Sequence, residues 1–526
     1  MKRKYFFSAL LILCSLNIFA QKEGLNSINK NDLKAYMTFF ASDLLEGRET
    51  GTRGNDAAAL YLKTNIMRLG LKPHPGTGDY FQEVPLTSSK IDTRNTFLKI
   101  NDINGNVIFS SDSIVSLMIP SKTMDFTGNV VFAGYAYTNQ DNKYDDLKDI
   151  DVKDKIVMIM TRNPEFAISG EGNPVFDQNL EGQKVRSVFP KGPKAILFVY
   201  DPKNKFPDAY ASGIAGIIGS RTVSQKGHAA PSLPLQLAFI TQHTADMLLK
   251  TTGYTLKQMQ EKISTGGIPV STELHGITAS LKTSVEVRDI LSPNVIGIIE
   301  GSDPVLKNEC VVYSAHFDHV GVNEKGEIFN GADDNASGSM ALLEVANAFM
   351  NLKKKPLRSI VFAWVNGEEK DMFGSKYYAD NPAIPMEKTL LNINLDMVGR
   401  SKMPSDTGKI MGFDLTVTQP GEILAYTAHE STELLKMLAS VSKETGVTVT
   451  DKGKDLQFGS SDHVNFMAKG VPAFLFISGM HSDLHSVRDD VERIDFDKME
   501  KVSKMVFLLG YKVADQRERI KLDNPK

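Results

Sequence analysis

Cys310-Val311-Val312-Tyr313-Ser314-Ala315-His316-Phe317-Asp318-His319 is an apolar run that ends in two histidines flanking an aspartate. An uninterrupted apolar stretch of this length reads as a buried strand. Similar runs occur over 294–299, 359–365, 390–395 and 473–477. Helical spacing of apolar residues falls between and after them, over 336–350, 431–444 and 495–511. Strand alternating with helix predicts an α/β fold, a mixed sheet covered by helices.

Polar residues cluster where these strands stop. Asp333 and Asp334 sit in Gly331-Ala332-Asp333-Asp334-Asn335-Ala336-Ser337-Gly338, ahead of a helix. Asn366-Gly367-Glu368-Glu369 closes the run 359–365, and Asn394-Leu395-Asp396-Met397 closes the run 390–395. Ser460-Ser461-Asp462-His463 and His481-Ser482-Asp483-Leu484-His485 follow, so five of the ten histidines lie in these C-terminal motifs. Each piece alone has a plain structural reading: paired acids cap helices, and adjacent glutamates are common on surfaces. Together they fall where open α/β sheets build their sites, at carboxyl ends of strands. Oxygen and nitrogen donors in this mixture suit zinc. One ion rarely needs two histidines and three carboxylates, whereas two ions ~3.5–4 Å apart and sharing a carboxylate do. The second glutamate of the pair leaves its neighbour as a base for water, because side chains alternate along extended backbone. The motifs H-E-x-x-H, G-x-S-x-G and G-x-x-x-x-G-K-[ST] are missing from the sequence, so a single-zinc helix site, a serine nucleophile and a phosphate loop lack their signatures.

The remaining chain is organised around that segment. With 526 residues, 41% hydrophobic and 23% charged, the composition is that of a globular protein of two or three units. A formal charge of -3 carries no basic face for a nucleic acid. Lys2, Arg3 and Lys4, the short apolar stretch 6–16 and small Ala20 predict a signal peptide over 1–20, cleaved to leave no membrane span. The mature chain is then periplasmic or extracellular. Cys310 becomes its single cysteine and reads as a buried strand residue rather than a nucleophile. Residues 29–70 read as helical around the loop Leu45-Glu46-Gly47-Arg48-Glu49-Thr50-Gly51-Thr52-Arg53-Gly54, with Asn55 as cap of the following helix. Short β-rich runs at 129–133, 155–160, 195–199 and 216–218 mark residues 95–285 as an inserted strand-rich domain without a ligand cluster. Residues 21–94 and 286–514 then form one catalytic domain, followed by a charged tail over 515–526.

The motifs AHFDH, GADDNASG, NGEE, NLDMVGR and SSDH, with the final histidine segment and LLEGRETGTRGN, resemble the co-catalytic di-zinc aminopeptidases. Glutamate carboxypeptidase II and the glutaminyl cyclases are relatives of that family. The insert resembles, by pattern only, a protease-associated domain. The resemblance implies a zinc exopeptidase fold and two zinc ions per chain, acting on peptide substrates. It puts His316 and Asp396 on one zinc and Glu369 and His485 on the other, with Asp334 bridging. Glu368 becomes the general base and acid, Asp318 the group that orients His316, and the Asp334–Asn335 peptide is expected to be cis. Many members carry Tyr directly before the last histidine; Leu484 stands there, which leaves oxyanion stabilisation to the metal or to His463 or His481.

An aminopeptidase is the first reading. A carboxypeptidase or dipeptidase of the same fold would need Arg or Lys for the free carboxylate, where an aminopeptidase needs acidic or carbonyl groups for the free amine. Glutaminyl cyclisation uses one zinc, and a non-catalytic receptor would have lost ligands that are all present here.

Overall fold

The computed structural model describes residues 21–523 apart from 118, 140–142, 168–177, 204–220, 228–234, 324, 411–412, 428–430 and 454–460. The signal peptide expected over 1–20, the strand expected over 216–218 and Ser460 lie outside the described residues. The chain divides into two compact units. The first runs to Pro85 and resumes at Ile290, and the second comprises Leu86–Asp289. These limits differ from the 95–285 read from the sequence because Phe81–Ile91 and Val285–Ile299 are single strands that carry extended backbone through both points.

The strands wholly or partly in the first unit are β1 (Phe81–Ile91), β2 (Val285–Ile299), β3 (Cys310–His316), β4 (Ser359–Val365), β5 (Thr389–Leu395), β6 (Glu422–Thr427), β7 (Thr448–Gly453) and β8 (Ala473–Ile477). They lie in the order β1-β2-β4-β3-β5-β8-β6-β7. The central β4, β3, β5 and β8 are parallel, while β2 runs antiparallel to β4 and β6 antiparallel to β8, so the sheet is mixed. Every residue of β3, β4, β5 and β8 is buried, as expected of strands covered on both faces. The register pairs His316 with Val365, Ser314 with Asn394 and Leu395 with Phe476. That alignment brings the carboxyl ends of all four strands to one edge.

Helices α1 (Lys30–Phe40), α2 (Arg53–Leu69), α3 (Gly338–Met350), α4 (Phe373–Asp380), α5 (Thr432–Thr445), α6 (His463–Ala468) and α7 (Phe496–Asp515) cover the sheet. Alternate strand residues face opposite layers. Val311, Tyr313 and Ala315 pack into the core shared with α1, α2, α3, α5 and α7. Cys310 and Val312 pack with Tyr378 of α4 and Phe466 of α6. The Cys310 thiol is pushed up to about 12 by burial and stays protonated at neutral pH. Helix α3 is apolar nearly all round because almost all of it is buried. Helix α2 starts three residues before the expected position: Thr52, whose side chain accepts the Asn55 N–H, is its cap, and Asn55 is buried inside the first turn. Strands β6 and β7 have no counterpart in the sequence reading.

Among the described residues the second unit contains two larger sheets and a two-stranded ladder of Thr138–Asn139 with Tyr144–Asp145. Val130–Phe132, Ile156–Met160, Ala195–Val199 and Gln236–Ile240 form the parallel centre of one. Val107–Ser111, Phe97–Asp102, Ile277–Thr283 and Met124–Gly128 form an antiparallel second. Among its described residues this unit also has the helices Gln178–Val188, Gln242–Leu249 and Leu256–Gly266. Among the described residues no helix is long and apolar enough to cross a membrane.

Glu344 of α3 accepts the Asn29 N–H at 3.2 Å while fully buried, and burial pushes its carboxyl up to about 7. The folded state therefore holds this proton more tightly than the unfolded chain. Stability is greatest below the ordinary glutamate range and is lost as pH rises through about 7. Glu344→Gln keeps the acceptor and removes the charge. We expect it to stabilise the fold by about 2–3 kcal/mol at pH 8 and to be nearly neutral at pH 4. Denaturant titrations of both proteins at the two pH values check this; an equal effect at both would refute it.

Candidate metal centre

The loops that leave the aligned strand ends converge. His316, the last residue of β3, is 1% exposed. Its Nε2 lies 3.3 Å from Asp396 Oδ1, 3.5 Å from Asp334 Oδ1 and 4.0 Å from Glu368 Oε2. Its Nδ1 faces the Asp318 carbonyl oxygen at 3.2 Å, with Asp318 Oδ1 at 3.8 Å. An imidazole that donates Nδ1–H to such an acceptor presents Nε2 to a metal. On the other side of Asp334, His485 Nε2 is 3.0 Å from Asp334 Oδ2 and 3.1 Å from Glu369 Oε2. His319 Nδ1 is 2.9 Å from Glu369 Oε1 and 3.7 Å from Asp334 Oδ2.

Two groups of side chains could therefore hold a metal ion: His316, Asp334 and Asp396, and His319, Asp334, Glu369 and His485. In each group the donor atoms lie within 4.8 Å of one another. Asp334 belongs to both, with Oδ1 turned to the first and Oδ2 to the second. All donors are oxygen or imidazole nitrogen, which suits zinc. Both groups lie in the first unit.

Charge gives the same indication. Burial alone would lower His485, but Glu369 and Asp334 outweigh it and hold the imidazole up to about 11. His316 behaves likewise beside Asp396 and Glu368. Burial raises Glu368 well above the carboxylate range; Glu369 is also buried, but His485 and His319 hold it below that range. The carboxylates demand positive charge at this point. Protons on the histidines or divalent cations between them meet the same demand.

The local backbone explains the aim of each group. After Val365 the chain turns at Gly367, with φ 76°, into a single 3-10 turn over Glu368–Lys370. The glutamate pair is therefore not on extended backbone, as the sequence suggests. Its side chains diverge because successive residues of a 3-10 turn are rotated by roughly a third of a turn. Asp334 precedes a cis peptide to Asn335. Its loop is laced to neighbouring segments by buried polar bonds. Asp489 accepts the N–H groups of Asp333 and Asp334 at 3.0–3.1 Å. Asn335 donates to Leu395 O at 2.9 Å and accepts from Met397 N, and Asp333 Oδ1 accepts from Gly399 N at 2.7 Å.

All seven residues singled out in the sequence, His316, Asp318, Asp334, Glu368, Glu369, Asp396 and His485, come together. Asp318 is engaged beyond His316: its carboxylate accepts the N–H of Glu368 at 3.2 Å, the N–H of Glu369 at 3.3 Å and the Thr50 hydroxyl at 2.9 Å. Sequence reasoning gave His319 and Asp489 no role. Both were visible as polar residues within quoted or adjacent motifs, but no periodicity governs a loop and so none announced their direction. His463 is pushed down to about 4 by burial and belongs to neither group. His481 faces Asp333 at 3.4 Å with both side chains fully buried, so it braces that loop.

A leucine aminopeptidase described as probable from Trichophyton verrucosum is 27% identical over 242 residues, 44% of this chain and 61% of that protein. Aminopeptidase YwaD of Bacillus subtilis is 26% identical over 239 residues, 44% of this chain and 46% of that protein. The chain thus spans less than two thirds of the curated relatives it matches. Among solved structures, an aminopeptidase from Aneurinibacillus sp. strain AM-1 shares the fold with a TM-score of 0.56 at 21% identity, over 96% of this chain and 98% of that one. The zinc aminopeptidase BSAP from Bacillus subtilis shares it with a TM-score of 0.52 at 18% identity, over 94% and 99%. The model of peptidase family M28 matches residues 294–509, the segment that carries every residue of both groups.

Proposed function

We propose that this protein is an exported aminopeptidase that uses two zinc ions per chain to hydrolyse N-terminal peptide bonds. The observation that carries the reading is Asp334, one carboxylate with its two oxygens turned to two separate groups of nitrogen and oxygen donors. His316 and Asp396 would hold one ion, Glu369 and His485 the other, with Asp334 between them and His319 at hydrogen-bond distance from Glu369. Bound there, zinc supplies Lewis acidity, polarising the scissile carbonyl and acidifying the attacking water. Glu368, whose Oε2 lies 4.0 Å from His316 Nε2, takes the proton from that water and returns it to the leaving amine. Asp318 keeps His316 and the glutamate pair in mutual register. The family match, the curated aminopeptidase relatives and the all-oxygen-and-nitrogen donor set support this assignment. The second unit serves as a protease-associated-type insert, and none of its described residues belongs to either donor group.

Purified protein is expected to contain about two zinc ions per chain, to lose peptide hydrolysis on chelation and to regain it with added zinc. Free aminoacyl substrates should be cleaved and their N-acetylated counterparts spared; the opposite preference would favour the carboxypeptidase reading. Full activity in metal-free protein would sink the proposal.

The two glutamates separate by role. Glu368→Gln should keep both ions and lose roughly 10²–10⁴ in kcat. Glu369→Gln should lose affinity for one ion. Metal analysis beside steady-state kinetics decides between them, and a reversed pattern would exchange the roles. Export is checked at the protein terminus: mature protein recovered outside the cytoplasm should begin at Gln21, and an intact Met1 would contradict cleavage.

A further inference from the structure

Residues 47–55 lie outside the family-matched segment 294–509 and contribute no side chain to either donor group. They nevertheless reach three of the loops that carry those groups. Arg48 is fully buried. Its Nε donates to Phe317 O at 2.9 Å, Nη1 to Asn330 O at 2.7 Å and Phe40 O at 2.8 Å, and Nη2 to Gly331 O at 2.9 Å. A planar five-donor fork spent on four carbonyls ties the peptide between His316 and Asp318 to the turn leading into Asp334. Main-chain bonds reinforce the tie: His319 N donates to Arg48 O at 3.2 Å, and Gly321 N to Gly47 O at 3.0 Å.

Further along, Thr50 Oγ1 donates to Asp318 Oδ2 at 2.9 Å, with both residues fully buried. Asn55 and Asn366 exchange side-chain hydrogen bonds at 3.1 and 2.8 Å, immediately before the glutamate pair. Close approach fixes the loop's shape. A Cβ on Gly54 would stand 1.9 Å from Leu45 O, so only glycine fits.

We propose that residues 47–55 form a positioning strap for the metal centre, in which the Thr50 hydroxyl sets the Asp318 carboxylate and, through it, the His316 ring and the backbone of Glu368 and Glu369. The inference rests on the two-zinc reading and extends it to a segment outside the catalytic motifs. Asp318 has one oxygen shared between the Glu369 N–H and Thr50, and the other on the Glu368 N–H. Loss of the hydroxyl leaves a buried carboxylate short of a donor, and it must tilt to recover one. Any tilt moves residues of both donor groups together.

Thr50→Val removes the hydroxyl at nearly constant volume, and Thr50→Ser restores it. In the full-length protein, zinc affinity is measured by competition with a chromophoric chelator, and thermal midpoints are recorded for metal-free and zinc-loaded forms. We expect Thr50→Val to bind zinc about tenfold more weakly than wild type, with Thr50→Ser returning close to it. The zinc-loaded Val variant should show a lower kcat at unchanged KM. A purely structural hydroxyl would lower both thermal midpoints equally and leave zinc affinity and kcat untouched; that result overturns the proposal. So does a failure of Thr50→Ser to recover zinc affinity. Wild-type protein that binds no zinc would instead sink the two-zinc reading itself, which separates the two failures.

Discussion

Repulsion between like charges held at one edge of a buried sheet is the constraint around which the first unit is organised. Asp334, Glu368, Glu369 and Asp396 converge where four parallel strands stop, and three of these carboxylates lie within a few ångströms of a histidine nitrogen. Two like charges 4 Å apart cost about 4 kcal/mol even at an effective dielectric of 20. No fold collects such a cluster cheaply, so its presence calls for compensation. The histidines supply part of it, and Arg48, buried nearby, supplies more: burial lowers its guanidinium to about 10, while Asp334, Asp489 and Asp318 work to keep it charged. Cations seated between the carboxylates would remove the repulsion outright and turn it into the binding energy of the site.

Holding those groups in place requires a rigid frame, and the frame is polar rather than apolar at this edge. Strands β3, β4, β5 and β8 end in register, but the side chains that matter belong to the loops beyond them. Each loop is fixed by a neighbour: Asp489 and Asn335 hold the Asp334 turn, Asp318 holds the glutamate pair, and Arg48 holds the segments around Phe317 and Gly331. Buried networks of this kind are stable only when their members find partners, and a satisfied network specifies one geometry. The same logic explains why side chains outside the two donor groups, such as Asn55 and Asn366, pair within the interior.

The second unit shows a different balance. Its parallel strands are fully buried and its second sheet is amphipathic, so its stability comes from two ordinary apolar cores. The metal-capable groups found among the described residues all lie in the first unit. The division of labour follows from where the loops between strands carry converging acids and histidines and where they do not.

Composition and periodicity alone determined the α/β class, because buried strands such as 310–316 and 359–365 must be continuously apolar and helices such as α7 must repeat near every third or fourth residue. The polar motifs that follow those runs also stood out in the sequence, while the choice of seven residues within them came from the resemblance to the di-zinc aminopeptidases. Tertiary structure alone decided which oxygen of Asp334 faces which histidine, that the glutamate pair sits on a 3-10 turn, and that His319 and Asp489 join the centre. It also decided that Thr52, not Asn55, caps α2, and that residues near 50 reach a site almost 270 positions away. Loops obey no period: their conformation is set by hydrogen bonds to groups distant in the chain, and those partners become visible only once the strands have been laid side by side.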